Sequence, residues 1–187
     1  MKRIPALCLA VLLLFCCMAG ADDENLSPVD FEDFTLQPGV VPLTYRGEKT
    51  DGMPLFAFSL TVEGNIALSA VNAVWSREQA QLTPEEFTGS VRNTESEIRS
   101  RYEAGGYVLQ SLDVRDAVEC EYWGQPALRC DAQMQVNIND TEVIIVQRTI
   151  RITGSFGTYL FSLSSWSSDY LEEADDALVR AIRWKQP

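Results

Sequence analysis

The feature that most constrains the fold is residues 128–138, in which apolar and polar side chains alternate without a miss. The apolar set is Leu128, Cys130, Ala132, Met134, Val136 and Ile138. Because successive side chains of a strand point to opposite faces, this pattern predicts a long strand with one face on a core and the other in water. Two further strand-like segments, EVIIVQRTIRIT and TYLFSLSSW, follow after short turns and predict an antiparallel meander.

Two segments have helical spacing. In residues 82–106, the apolar positions Phe87, Val91, Ile98 and Tyr102 fall on one helix face. Thr83 and Glu86 can form a capping box around Pro84, and Gly105-Gly106 supplies the end. The segment SDYLEEADDALVRAIRWK predicts a second amphipathic helix, with an apolar stripe of Leu171, Ala174, Leu178, Ala181 and Ile182.

These elements predict an α+β domain over residues 41–187. Its antiparallel sheet has about six to seven strands, with the meander in the second half, and two main α-helices cover it. The first strands form a hairpin around the turn that contains Asp51-Gly52. Residues 22–40 are acidic, contain two prolines and have little periodicity, so we expect a flexible lead-in.

The first 21 residues have the order of a cleaved secretory signal. Lys2 and Arg3 precede an apolar run over 4–18, and the small residues 19–21 come before the acids of 22–24. An uncleaved anchor is the alternative, although a bilayer core needs about 20 apolar residues. We therefore expect a secreted, extracellular, periplasmic or cell-envelope protein with no stable membrane insertion after cleavage.

The charge of the chain limits its partners. Without Lys2 and Arg3, 13 basic and 27 acidic residues remain, a net charge of −14. Such a surface repels phosphate backbones and anionic lipids, which argues against nucleic-acid binding and a basic membrane-docking patch. The expected partner is an unidentified protein or cell-envelope component.

The residue types exclude most catalytic chemistry. The chain has no histidine, so neither a serine–histidine–acid triad nor a cysteine–histidine dyad can form, and the usual zinc sites lack ligands. We expect no cofactor and no metal, because the acidic runs also lack the spacing of a calcium loop. The remaining catalytic option is a carboxylate pair, Glu119 and Glu121, with Asp113 and Asp116 just upstream.

Cys120 and Cys130 are the two cysteines that remain after signal cleavage. A hairpin that pairs 122 with 128 across the turn at 124–126 places Cys120 directly opposite Cys130, both on the core face. Directly opposed residues lie within disulfide range, and an exported protein meets an oxidising compartment. We therefore predict a Cys120–Cys130 disulfide; two free buried thiols are the alternative.

Trp123 stands beside Gly124 at the predicted tip of this hairpin, where no core is expected nearby. The other three tryptophans end apolar segments and fit core or boundary positions. An aromatic side chain at an exposed tip is typical of a contact residue, so Trp123 is the candidate for touching a partner.

Residues from about 42 to 185 resemble the family that unites the photosystem II extrinsic protein PsbP with bacterial DcrB-like envelope proteins. The matching features are the early hairpin, TPEEF at a helix start, the GGYVLQS segment, the GQPALR turn at 124–129, TYLFSLSS and the terminal amphipathic helix. The resemblance implies an antiparallel sheet between helices and a binding or accessory role without catalysis. Attachment to a photosystem is not implied, because basic residues are scarce.

The expected function is thus a secreted or envelope-associated, non-catalytic binding or accessory module. Two alternatives remain: a carboxylate-dependent hydrolase, and an acidic structural or inhibitory protein that binds a basic partner.

Overall fold

The structure is a computed structural model that describes residues 28–37, 45–46, 49–52, 54–62, 66–138 and 140–185. The predicted signal peptide, residues 1–21, lies outside the described residues. The described helices and strands are, in chain order, β1 Val29–Asp30, β2 Phe34–Leu36, β3 Tyr45–Arg46, β4 Pro54–Val62, β5 Ile66–Ser76, α1 Pro84–Arg92, α2 Glu95–Ala104, β6 Val108–Val114, β7 Val118–Tyr122, β8 Gln125–Ile138, β9 Thr141–Gly154, β10 Gly157–Ser165, α3 Ser168–Ala181 and β11 Ile182–Trp184.

The α+β class predicted from the sequence is confirmed. Within the described residues, eight antiparallel strands form the main sheet: seven follow the order β3-β4-β5-β10-β9-β8-β6, and the eighth, β7, pairs with β8 beside β6. A second, three-stranded sheet has the order β1-β2-β11. The predicted meander is β8-β9-β10, joined by short turns. β7 pairs with the first part of β8, and β6 pairs with the rest of the same edge.

The main sheet has two covered faces. Cys130 and Met134 of β8 lie on the face that α1 and α2 cover, which we call the α1 face. Ala127 lies on the opposite face, under α3 and the small sheet, which we call the α3 face. Alternation therefore predicts the sidedness of β8 correctly, but its second face is not uniformly in water, because Ala127 is buried in the larger core.

The predicted helix over 83–104 begins as expected and then breaks in two. Thr83 accepts from the backbone N–H of Glu86, whose side chain accepts from the N–H of Thr83 at 2.8 Å, so the predicted capping box is confirmed. The break between α1 and α2 falls at Asn93-Thr94, where the Thr94 hydroxyl donates to the carbonyl of Val91 at 2.7 Å. Such side-chain bonds to the backbone compete with a continuous helix.

α3 ends earlier than its apolar stripe predicts. Ser167 caps its start, but the helix stops at Ala181 and the chain continues as the strand β11. The prediction of a helix through Lys185 is wrong there, because β11 pairs with β2. The backbone N–H of Lys185 also donates to the carbonyl of Asp33. A tertiary partner has overridden helical propensity.

The predicted flexible lead-in is wrong for residues 29–36. They contain β1 and β2, and Phe34 and Leu36 are 0% and 1% exposed. Phe34 packs against Phe56, Tyr159, Phe161 and Trp184 in an aromatic cluster on the α3 face. Burial of these two side chains fixes this segment, although three strand residues are too few to give a periodic signal in the sequence.

Candidate functional site

The hairpin of β7 and β8 closes on a two-residue turn. Trp123 and Gly124 have φ angles of 53° and 74°, so both turn residues lie in the left-handed region. That geometry is typical of a type I′ turn, whose twist matches that of the flanking strands. The turn fixes the register: Tyr122 pairs with Gln125, Cys120 with Ala127 and Val118 with Arg129.

This register contradicts the predicted Cys120–Cys130 disulfide. Cys120 lies opposite Ala127, while Cys130 lies opposite Thr149 of β9, and both thiols are free. Because Cys130 is three residues beyond Ala127, the two side chains point to opposite faces of the sheet. The prediction assumed a longer turn at 124–126, and the shorter turn shifts the pairing by an odd number of residues.

Both cysteines are protected thiols. Cys130 is buried against α1, and Cys120 is half-buried beside the aromatic cluster. Burial raises the pKa of Cys130 to about 11 and raises the pKa of Cys120 above its ordinary value. The thiolate is the nucleophilic form of cysteine, so neither side chain is activated at neutral pH.

Trp123 is at the hairpin tip, as predicted, but the expectation that no core lies nearby is wrong. Its ring stacks on Trp184 at 5.9 Å and meets Phe161 edge-on at 5.1 Å between ring centroids. Its Nε1–H donates to the carbonyl of Val179 near the end of α3, at 3.1 Å. The indole therefore ties the hairpin to the core, and this use of the ring does not support its predicted role as a partner contact.

A buried charge network lies under α3. Arg148 of β9, whose side chain is 3% exposed, contacts three carboxylates: Asp131 at 2.9 Å, Glu172 at 2.7 Å and Asp175 at 2.5 Å. The hydroxyl of Tyr122 donates to Asp175 at 2.8 Å. These bonds connect the β7-β8 hairpin, the sheet and α3 through polar groups inside the core.

The pKa values in this network follow from its geometry. Burial by itself lowers the pKa of Arg148, but its hydrogen bonds to Glu172 and Asp131 and the nearby carboxylate charges raise it by more. The hydrogen bond from Arg148 lowers the pKa of Glu172. Burial, followed by the charge of Asp175, raises the pKa of Tyr122. All these shifts favour the charged arginine, the charged Glu172 and the neutral tyrosine, so the network keeps this arrangement of charges at neutral pH.

The outer edge of β7 is open. In a two-residue hairpin the residues flanking the turn form a hydrogen-bonded pair, and hydrogen-bonded pairs then alternate with non-hydrogen-bonded pairs along the two strands. The backbone groups of Tyr122, Cys120 and Val118 therefore point to β8, whereas those of Glu119 and Glu121 point outward. Within the described chain, β7 pairs with β8 alone. Val118 is 45% exposed, and Glu119 and Glu121 are exposed.

By contrast, the outer edge of the neighbouring strand β6 is covered. Arg99 of α2 donates to the carbonyl of Leu109, and Arg92 of α1 donates to that of Val114. α2 also packs along β6. Proteins commonly cover or block edge strands in this way, because unpaired backbone groups are a template for another strand. On this side of the sheet, β7 lacks such cover among the described residues.

A cavity of about 310 Å³ adjoins β7 on the α1 face. Its lining residues come from the loop before α1 and from β7, β8 and β9: Gln81, Leu82, Glu119, Cys120, Pro126, Ala127, Leu128, Arg151 and Thr153. The volume is at the small end of the range for ligand pockets. Its walls combine apolar surface with one acidic and one basic side chain.

Arg151 forms the polar wall of this cavity. Its Nη2 donates to the carbonyl of Ala80 at 2.9 Å and lies 3.6 Å from a carboxylate oxygen of Glu78. Its buried Nε has no hydrogen-bond partner within the described residues. Burial lowers the pKa of Arg151, and the charge of Glu78 opposes part of that effect. Since Glu78 balances Arg151, Glu119 gives the cavity a net negative charge.

The four carboxylates that the sequence analysis considered for catalysis do not form one cluster. Glu119 and Glu121 share the α1 face of β7, and the side chain of neither bonds another described residue. Asp116 instead forms an ion pair with Arg92 at 3.3 Å, and Asp113 lies in β6 on the α3 face. In the described parts of the chain, no three His, Cys, Asp or Glu side chains are grouped to hold a metal ion.

Sequence reasoning missed two residues that the structure makes central, Arg148 and Arg151. Both stand in VIIVQRTIRIT, a segment that is otherwise strand-like and apolar. A charged residue in a strand that is covered on both faces is rarely buried without a partner. That signal was present, but the partners of Arg148 are distant from it in the chain: Asp131 lies 17 residues before it, and Glu172 and Asp175 lie 24 and 27 residues after it.

No protein-family model matches this chain, and no curated protein matches it. Among solved structures, the chain is similar to cyanobacterial PsbP (CyanoP) from Synechocystis sp. PCC 6803, with 11% identity and a TM-score of 0.48, over 90% of this chain and 98% of that one. It is also similar to LpqN of Mycobacterium tuberculosis, a protein involved in cell envelope biogenesis, with 14% identity and a TM-score of 0.49, over 86% and 90% of the two chains.

A third similar structure is PA94 from Pseudomonas aeruginosa, a protein of unknown function, with 15% identity and a TM-score of 0.47, over 76% of this chain and 94% of that one. A PsbP is thus among the solved structures to which the chain is similar. These similarities concern the fold. No helix in the described part of the chain is long and apolar enough to cross a membrane.

Proposed function

We propose that this chain is a secreted or envelope-associated, non-catalytic binding or accessory module, and that the free edge of β7 is its binding surface. The observation that carries the proposal is an edge strand whose outer backbone groups have no partner among the described residues. It lies beside a cavity, in a sheet whose neighbouring strand is protected by arginines. The occupant is an extended segment of a partner protein.

The edge of β7 supplies what strand addition requires. Glu119 and Glu121 each present one N–H and one C=O outward, so an added strand of four or five residues can form up to about four backbone hydrogen bonds. Main-chain bonds of this kind give affinity, and the side chains beside them give selectivity. The exposed side chain of Val118 extends the surface on the α3 face.

The chemistry of the same surface favours binding over catalysis. The chain has no histidine, and burial keeps both cysteines protonated at neutral pH. Glu119 and Glu121 are exposed to water. Water surrounds both carboxylates, and nothing in the described residues holds a reacting group against them.

The test is a selection from a displayed library of unstructured peptides, carried out on the chain from residue 22. Glu119→Pro removes one outward N–H and places a ring on the edge. It leaves the ladder to β8 intact, because Pro126 already occupies the same kind of position opposite Glu121. Glu119→Gln is the matched control that keeps the backbone and changes only the charge.

We expect selected peptides to bind the wild-type chain and Glu119→Gln, and to lose binding to Glu119→Pro while that variant keeps its circular dichroism spectrum and melting temperature. Peptides that bind folded Glu119→Pro as well as the wild type would contradict the proposal. The hydrolase alternative predicts turnover of glycan or ester libraries that disappears in Glu119→Gln, and such turnover would replace the binding function.

A further inference from the structure

We infer that the strand that binds β7 carries basic side chains at alternate positions, with an apolar residue between them. This inference rests on the proposed function and names the chemistry of its partner. It is carried by three features of the β7 edge: the placement of its two glutamates, the composition of the cavity, and the exposed apolar side chain on the other face.

The two glutamates set the alternate positions. Glu119 and Glu121 are exposed on the α1 face, and their outward backbone groups bond the residues that lie directly opposite on an added strand. Directly opposed side chains share a face, with Cβ atoms about 4.5–5.5 Å apart, and opposite charges stabilise such a pair. A lysine or arginine directly opposite each glutamate forms such a pair. The two basic residues of the added strand are therefore separated by one position.

The cavity fits the side chain of one of these basic residues. Leu82, Pro126 and Leu128 give it apolar walls, and Glu119 also lines it. Long basic side chains pack their aliphatic stems against apolar surface and keep the charge at a polar end. The charge of Arg151 does not oppose this arrangement, because Glu78 lies 3.6 Å from it.

The residue between the two basic positions points to the α3 face. On that face β7 presents Val118, which is 45% exposed, and the half-buried Cys120. An apolar side chain on the added strand covers this surface and removes it from water. The pattern of the partner is therefore basic–apolar–basic.

A second copy of this chain does not fit the edge. In an antiparallel pair of β7 strands centred on residue 120, Glu119 of each copy lies directly opposite Glu121 of the other. Centring the pair on either glutamate places that residue opposite itself. Like charges in directly opposed positions destabilise a strand pair, so the acidic edge discourages self-association and accepts a basic strand.

The experiment measures binding of fluorescein-labelled, end-capped peptides to the chain from residue 22, by fluorescence anisotropy. The probe is Ser-Thr-Arg-Val-Arg-Thr-Ser. Its controls are an isomer with adjacent arginines, Ser-Thr-Arg-Arg-Val-Thr-Ser, and an acidic analogue, Ser-Thr-Glu-Val-Glu-Thr-Ser. The protein variants are Glu119→Pro, the pair Glu119→Gln/Glu121→Gln, and the charge-matched pair Glu103→Gln/Glu142→Gln, whose glutamates are exposed and lie outside β7.

We expect the probe to bind more tightly than either control peptide. The pair Glu119→Gln/Glu121→Gln removes two opposed charge pairs and should weaken binding of the probe about 2- to 30-fold. Glu103→Gln/Glu142→Gln should change it less than two-fold, and Glu119→Pro should abolish it.

The inference is overturned if the acidic analogue or the isomer binds as tightly as the probe. If that binding is still lost in Glu119→Pro, the proposed edge function stands. If no peptide responds to Glu119→Pro, both proposals fail. A dimer in analytical ultracentrifugation that Glu119→Pro dissociates would make a second copy the occupant and would also overturn the inference.

Discussion

Replacing Arg148 with methionine tests whether the network under α3 holds the fold together. Methionine keeps an unbranched apolar stem but removes the guanidinium group of arginine, with its charge and all of its hydrogen bonds. Asp175, whose side chain is 12% exposed, then keeps only the bond from Tyr122. A buried carboxylate without its cation is the costly product of this change.

The expected loss of unfolding free energy in Arg148→Met depends on how exposed each carboxylate partner is. Breaking a buried ion pair by removing one member costs about 3–5 kcal/mol. The contact with Glu172 adds less than about 1 kcal/mol, because that side chain is 64% exposed and screened by water. For a domain of this size, about 2–4 °C of melting temperature corresponds to 1 kcal/mol, so we expect Arg148→Met to melt about 6–20 °C lower.

The assay is urea unfolding of the chain from residue 22, followed by circular dichroism, with the slope compared between variants to check that both unfold in the same way. Arg148→Met/Asp175→Asn is the informative second variant. It removes the unpaired charge, so it should be more stable than Arg148→Met by about 1–2 kcal/mol. A loss below about 1 kcal/mol in Arg148→Met, or a double variant less stable than the single one, would refute the reasoning.

Three other predictions concern single features. The hydrogen bond from Arg148 lowers the pKa of Glu172, so this bond stabilises the fold above the unfolded pKa of Glu172 and the stabilisation is lost as pH falls through the folded pKa. Glu172→Gln should therefore make the urea midpoint depend less steeply on pH on the acid side, and an unchanged slope would contradict this. Trp123→Ala should cost about 2 kcal/mol in the same urea assay, from lost ring packing, and a neutral result would mean that the ring is not held on Trp184 and Phe161. Alkylation of the unreduced, denatured chain from residue 22 should add two labels in mass spectrometry, at Cys120 and Cys130. If no label is added, the two cysteines form the disulfide predicted from the sequence.

Local signals predicted the parts of the fold that depend on a few neighbouring residues. The capping box of Thr83 and Glu86 is confirmed, because both partners stand within one helical turn. The sidedness of β8 is confirmed at Cys130, Met134 and Val136, because a strand alternates whatever pairs with it. The candidate site was predicted only in part: Glu119 and Glu121 were identified as exposed carboxylates, but the open edge that they form was not.

By itself, then, the sequence determined the α+β class, the meander and the start of α1, all of which follow from hydrophobic periodicity and local hydrogen bonding. Tertiary structure alone decided the register of the β7-β8 hairpin, because Trp123 adopts a left-handed turn conformation while its ring packs on the core. That register separated the two cysteines. Tertiary structure also decided that Ile182–Trp184 leave the helix to pair with β2, and that Arg148 is buried among carboxylates. In each case the partner is distant in the chain, and its contribution to the free energy exists only after the two segments have met.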